Sequence, residues 1–342
     1  MGKIVLVTGG AGFIGNAFCK LLLKERKDWI VINVDSLTYA ANKNTIASEL
    51  NNPNYFFIEA DIRDRTTIFE IFNEVKPDYV VNFAAESHVD RSFGNEDYFI
   101  DVNVTGLRVL LEAAVKHHVK KFHQVSTDEV YGAFPLDKKR QVFDEKAELR
   151  PTSPYAQSKA TADLLAISFY HDFGLPVTVS RGTNTYGPYQ YPEKLIPLTI
   201  YNALNKKKVP VYGTGENIRD WLYVEDHARG ILAILENGKK GQIYNLGGKN
   251  EMSNINLVKL ILTELKKSEK LIEFVSDRPN HDERYGVSIV KAKTLGWKPL
   301  VKFNDGIKDT IKWYKKNKKW LEECINDDYL AWIKRNYEER DS

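Results

Sequence analysis

A chain of 342 residues is long enough to bury a sizeable core and to form two lobes. Hydrophobic residues at 43% and aromatics at 12% exclude a disordered tail or a fibre, and a formal charge of +3 marks out neither a nucleic-acid nor a membrane partner. Cys19 and Cys324 are too few for a disulfide framework or a cysteine-based zinc site; no metal is expected, and a reducing compartment fits.

Along the chain, short apolar runs at 4–7, 29–34, 55–58, 79–82, 122–126 and 177–181 predict strands. Segments 13–25, 66–75, 99–116 and 155–173 repeat apolar residues at helical spacing and predict helices. This alternation implies right-handed crossovers and a parallel sheet: the α/β class, with a doubly wound Rossmann arrangement. After Arg181 the pattern loosens into Gly187-Pro188-Tyr189-Gln190-Tyr191-Pro192, where a smaller α/β lobe begins. Run 242–246 again reads as a buried strand, so the chain is expected to return to the first sheet. The expected division is 1–181 plus about 220–248 for the sheet domain, and 182–219 plus 249–342 for the smaller lobe. No run approaches the ~20 apolar residues that span a bilayer, and a cytoplasmic location is expected. The triplet Asn103-Val104-Thr105 sits in a helix candidate and reads as a coincidence, not a glycosylation site. The basic stretch 312–319, with Trp313, Tyr314 and Trp320, reads as a solvated helix face over apolar anchors, not a nucleic-acid patch.

Thr8-Gly9-Gly10-Ala11-Gly12-Phe13-Ile14-Gly15 lies where the first strand turns into the first helix. Gly9, Gly12 and Gly15 allow a tight turn, a close phosphate approach and close helix packing, while the helix start offers unpaired N–H groups to a pyrophosphate. Asp35 follows the second strand, where a carboxylate accepts from both ribose hydroxyls and repels a 2′-phosphate; NAD is therefore the expected cofactor. Phe13 and Ile14 belong to this loop, and Asp61-Ile62 after the third strand is placed to hold the adenine edge. The first domain is accordingly the NAD-binding domain.

Tyr155 and Lys159, four apart, share one helix face, and a nearby cation lowers a phenol's pKa. Ser126-Thr127-Asp128-Glu129 ends the fifth strand, at the sheet edge where ligand sites gather. The glycine turn, Ser126-Thr127 and the Tyr155/Lys159 pair resemble the extended short-chain dehydrogenase/reductase family over essentially the whole chain. Within it, Ala84-Ala85-Glu86-Ser87-His88-Val89-Asp90-Arg91-Ser92, Thr127-Asp128-Glu129-Val130-Tyr131-Gly132, Pro192-Glu193-Lys194-Leu195-Ile196-Pro197 and Arg219-Asp220-Trp221-Leu222 are similar to the dTDP-glucose 4,6-dehydratases. Such an enzyme oxidises C4, removes water across C5 and C6 and returns the hydride to C6. An epimerase needs only the first and last of these, whereas elimination adds a C5 base and an acid for the departing 6-hydroxyl.

The resemblance implies Glu129 as that base, Asp128 as that acid and Tyr155 as the base at O4. Thr127 would bond O4, and Lys159 would tune Tyr155 and hold the nicotinamide ribose. It places Ala84 and Ala85 against the cofactor, Ser87, Asn184, Lys194, Arg219 and Arg278 on the nucleotide sugar, and pairs helices 99–116 and 155–173 in a homodimer. Glu86 and His88 are expected to line the sugar pocket without catalytic roles. The chain departs from the family pattern at Gly182, Thr183 and Thr185, where Cys, Ser and a second Asn are usual. This keeps UDP-glucose and UDP-N-acetylglucosamine open beside dTDP-glucose, since smaller side chains could admit a 2-acetamido group. Two other readings stand against it: a 4-epimerase or reductase, opposed by the Asp128-Glu129 pair, and a non-catalytic NAD-sensing protein, opposed by the Thr127, Tyr155 and Lys159 set.

Overall fold

The computed structural model describes residues 2–138 and 141–339; residue 1 and residues 340–342, the ends of the two expected lobes, lie outside them. The strands are β1 (Ile4–Thr8), β2 (Ile30–Asp35), β3 (Tyr55–Glu59), β4 (Tyr79–Asn82), β5 (Lys121–Thr127), β6 (Val177–Gly182), β7 (Asn184–Tyr186), β8 (Val209–Tyr212), β9 (Ile218–Tyr223), β10 (Gln242–Leu246), β11 (Glu251–Ser253) and β12 (Ile272–Val275). The β-branched, mostly apolar character of β1, β2 and β4 suits a sheet covered on both faces. Seven of them pair in the order β10-β6-β5-β4-β1-β2-β3, with every neighbour parallel. The first six match the apolar runs to within one residue at each end.

Adjacent side chains of β1 enter different cores, because strand residues alternate between faces. Val5 and Val7 pack with Phe18, Leu22 and Ile231 of helices Phe13–Glu25 and Val224–Asn237. Leu6 packs with Phe72, Leu110 and Ala166 of helices Arg65–Val75, Leu107–Lys116 and Pro154–Phe173. The chain leaves β1 in one direction through β2 and β3, and in the other through β4 to β6. This reversal opens a crevice at the carboxyl ends of β1 and β4.

Helix Pro154–Phe173 starts where it does because the Ser153 hydroxyl accepts from Ala156 N–H at 3.1 Å and Pro154 takes the first helical position. The single helix expected over 99–116 is interrupted by a π-helical turn at Asp101–Gly106. That turn aims Asn103 inward, where its amide accepts from Glu86 N–H at 2.8 Å and donates to Glu86 O and Ser158 Oγ at 3.0 and 2.9 Å. Asn103 is only 3% exposed, so the glycosylation-like triplet presents no free acceptor.

A single residue, Thr183, separates β6 of the large sheet from β7 of a three-stranded sheet ordered β11-β9-β7. Strand β9 pairs in this small sheet, so the return to the large sheet runs through helix Val224–Asn237 into β10. Tyr186, Trp221, Ile261, Ile311, Tyr314 and Trp320 form the small lobe's core, which takes up the aromatics of the basic stretch. Among the described residues no helix is long and apolar enough to cross a membrane.

Candidate active site

The crevice holds a cleft of about 310 Å³, within the range of small-molecule sites. Its phosphate end is built from the glycine loop. Gly9 has φ +73°, and a Cβ there would lie 2.6 Å from the Ala84 nitrogen. A Cβ on Gly15 would lie 2.2 Å from the Gly9 carbonyl oxygen. Gly12 is different: its φ is −80°, and the nearest atom to an added Cβ, the same carbonyl oxygen, is 3.3 Å away. Packing therefore dictates Gly9 and Gly15, while the bare face at Gly12 serves whatever lies in the cleft. No side chain caps helix Phe13–Glu25, so its first N–H groups face that space. Gly12→Ala is expected to keep a melting temperature within a few degrees of wild type while weakening NAD binding by roughly tenfold or more; calorimetric melting and equilibrium binding check both.

Asp35 ends β2 beside this loop. One carboxylate oxygen accepts from Ala11 N–H at 2.9 Å and the other from Leu37 N–H at 2.8 Å. Burial pushes its pKa up against those N–H groups, and each oxygen keeps a lone pair for a ribose hydroxyl. Asp61 is gripped by Arg63, whose Nη2 donates at 2.7 Å and holds the carboxyl below its usual range. Phe13, Ile14, Asp61, Ile62, Ala84 and Ala85 all line the cleft. The loop, the uncapped helix end and Asp35 together fit a dinucleotide.

The other end gathers Thr127, Asp128, Glu129, Tyr155 and Lys159. Thr127 closes β5, and its hydroxyl accepts from Glu129 N–H at 3.3 Å, turning the chain so that both acids face inward. Asp128 is 2% exposed and one of its carboxyl oxygens has no partner. Burial, then the charges of Glu129 and Asp220, push its pKa well above the usual carboxylate range. Burial also raises Glu129, but Arg278, Arg219 and Lys194 pull it back.

The Tyr155/Lys159 pair departs from the simple expectation. Lys159 turns its ammonium to the Val125 carbonyl at 2.8 Å, and burial lowers its pKa to about 8. Tyr155 rises: burial and then Glu129 act on it most, against a hydrogen bond with Thr127. A lysine one turn away does not by itself make this phenol a base, because desolvation outweighs it.

Ser87, after β4, and Asn184 and Lys194 of the small lobe also line the cleft. Lys194 donates to the Ser87 backbone carbonyl at 2.9 Å, and the Asn184 side-chain oxygen Oδ1 is buried without a partner. Arg219 and Arg278 lie behind that wall. Arg219 donates to the carbonyls of Ile218 and Asp282 at 2.8 and 2.9 Å and stacks over Tyr285, while Arg278 pairs with Asp90 at 3.1 Å. Both act on Glu129 through their charge. Among the described residues no group of three or more His, Cys, Asp or Glu side chains is gathered to hold a metal ion.

Gly182 does not leave a hole. A Cβ there would lie 2.5 Å from the Cε1 of His227, whose imidazole fills the space and lines the cleft. The space beside Gly182 is taken by this ring. Sequence reasoning missed His227 because it sits 45 positions away and the close approach exists only once helix Val224–Asn237 docks on β6; the bare glycine at a strand end was the one signal. Glu86 lines the cleft as expected, but His88 packs beneath it against Trp332, with centroids 4.8 Å apart.

The family described as GDP-mannose 4,6 dehydratase matches residues 6–310. The dTDP-glucose 4,6-dehydratase 1 of Escherichia coli K12 is 44% identical over 98% of this chain and 99% of its own. The chain belongs to the dTDP-glucose 4,6-dehydratase family. The Neisseria meningitidis serogroup B dTDP-glucose 4,6-dehydratase is 45% identical over 95% of this chain and 97% of its own. The crystal structure of DesIV, the dTDP-glucose 4,6-dehydratase of Streptomyces venezuelae, solved with NAD and TYD bound, superposes with a TM-score of 0.90 at 42% identity. It covers 94% of this chain and 99% of its own. The likeness to these 4,6-dehydratases thus takes in nearly the whole chain, the cleft included.

Proposed function

We propose that this chain converts dTDP-glucose to dTDP-4-keto-6-deoxyglucose with NAD as a recycled cofactor. The observation that carries the reading is the pair of adjacent acids in one cleft, one pushed further from its ordinary range than the other. Groups held in different protonation states are what an acid and a base require. When bound, NAD supplies the acceptor for the C4 hydride and its donor at C6. Tyr155, hydrogen-bonded to Thr127, takes the O4 proton as phenolate, a form that the positive charges of Lys159 and of the bound nicotinamide would have to favour against the burial and the Glu129 charge that raise it. The ketone acidifies C5. Glu129 removes the C5 proton, the C6–O6 bond breaks as Asp128 gives its proton to O6, and water leaves. As hydride arrives at C6, the proton held on Glu129 returns to C5.

Further parts of the reading are the division into an NAD-binding domain and a sugar-nucleotide-binding lobe, a cytoplasmic location and a homodimer. Support for the dimer comes from Ile100, Leu164 and Phe173, which expose 42%, 64% and 60% of their surface on the two helices concerned. A monomeric mass in solution would remove it. The test of the reaction is to incubate the chain with dTDP-glucose, UDP-glucose and UDP-N-acetylglucosamine separately and follow loss of one water by mass spectrometry. Loss from dTDP-glucose is expected; loss from a UDP sugar alone would move the substrate, and loss from none would sink the assignment.

A further inference from the structure

We propose that His227 accepts a hydrogen bond from the carboxamide N–H2 of the nicotinamide, making it a cofactor-positioning residue at the reacting end of the cleft. The proposal rests on the NAD reading above.

Three observations converge on this ring. His227 is 1% exposed and forms part of the cleft wall. Its place depends on Gly182, since a Cβ there would come within 2.5 Å of Cε1 and 2.8 Å of Nε2. Its orientation depends on Thr185, whose hydroxyl donates to the Thr183 carbonyl at 3.1 Å and lies 2.7 Å from Nδ1 of His227. A hydroxyl has one proton to give, and in the arrangement proposed it goes to the Thr183 carbonyl, so that the oxygen accepts from Nδ1–H. That tautomer leaves Nε2 as an acceptor, buried and without a partner. Burial lowers the pKa to about 4, so the ring stays neutral and the lone pair stays available. A buried acceptor left unmet is unfavourable, and such groups in a cleft point to a ligand donor.

The position selects the donor. Gly182 is the register partner of Thr127 across β5 and β6, so the imidazole stands one strand from the residues that hold C4. Hydride transfer requires the nicotinamide ring beside that carbon. The ring carries a single donor group, the carboxamide N–H2. Gly182 and Thr185, two of the departures from the family pattern, are thereby read as the seat and the lock of one side chain.

The test compares equilibrium binding of NAD with that of 3-acetylpyridine adenine dinucleotide, in which a methyl ketone replaces the carboxamide. The wild-type chain is expected to prefer NAD by roughly tenfold. His227→Phe and Gly182→Ala, the second displacing the ring without removing it, are expected to bind the two equally. A wild-type ratio near one, or a preference unchanged in both variants, overturns the proposal and leaves Nε2 to a water molecule. Failure of the wild-type chain to bind either dinucleotide would instead overturn the NAD reading.

Discussion

Glu129→Gln is expected to slow uptake of solvent deuterium at C5 of the product by about 10²–10⁴-fold, the usual worth of a positioned proton-transfer group, while NAD binding stays intact. The substitution keeps the shape and a hydrogen-bonding oxygen but removes the charge that takes the proton. It also removes the charge that stands second to burial in raising Tyr155 and Asp128, so both groups are expected to titrate lower in the variant. A loss of activity from mere misfolding would take NAD binding with it. Wild-type exchange at C5 would end the assignment of Glu129 as base.

Asp128→Asn is the complementary change, with an expected loss of about 10²–10⁴ in kcat for elimination. Its pH signature separates it from Glu129. Glu129 must be ionised and Asp128 protonated, so the rate rises with pH as the first loses its proton and falls as the second does. Both groups are held above their ordinary ranges, Asp128 well above, so the limbs are displaced upward from those of free carboxyls, which titrate near ~4. The adjacent acids interact, so the limbs report the pair's apparent values. Asparagine cannot lose a proton, and the alkaline fall due to Asp128 is expected to vanish from the residual rate. Its persistence would give the acid role to another group.

Much of this was legible in the sequence because it depends on local patterns. Strands β1 to β4 are short, mostly apolar runs, and a run buried on both faces declares itself without alternation. The glycine turn and Asp35 are fixed by their places after β1 and β2, and Tyr155 and Lys159 by helical spacing. What the sequence hid depends on tertiary approach. The π turn at Asp101–Gly106 answers to Asn103 reaching Glu86 and Ser158, contacts that do not exist until three segments meet. The charge on Tyr155 could not be read from the spacing of a lysine, because burial and Glu129 outweigh it. Arg219 and Arg278 were legible as cations but not as groups already engaged by the Asp282 carbonyl and by Asp90.

The central claim is that hydrogen leaves C4 and returns at C6 within one cleft. It is tested most directly by turning over dTDP-glucose carrying deuterium at C4 and locating the label in the product by NMR. The account predicts a 4-keto-6-deoxy sugar with the deuterium on C6. Deuterium found back on C4 of a sugar that has lost no water would contradict it and make the chain an epimerase.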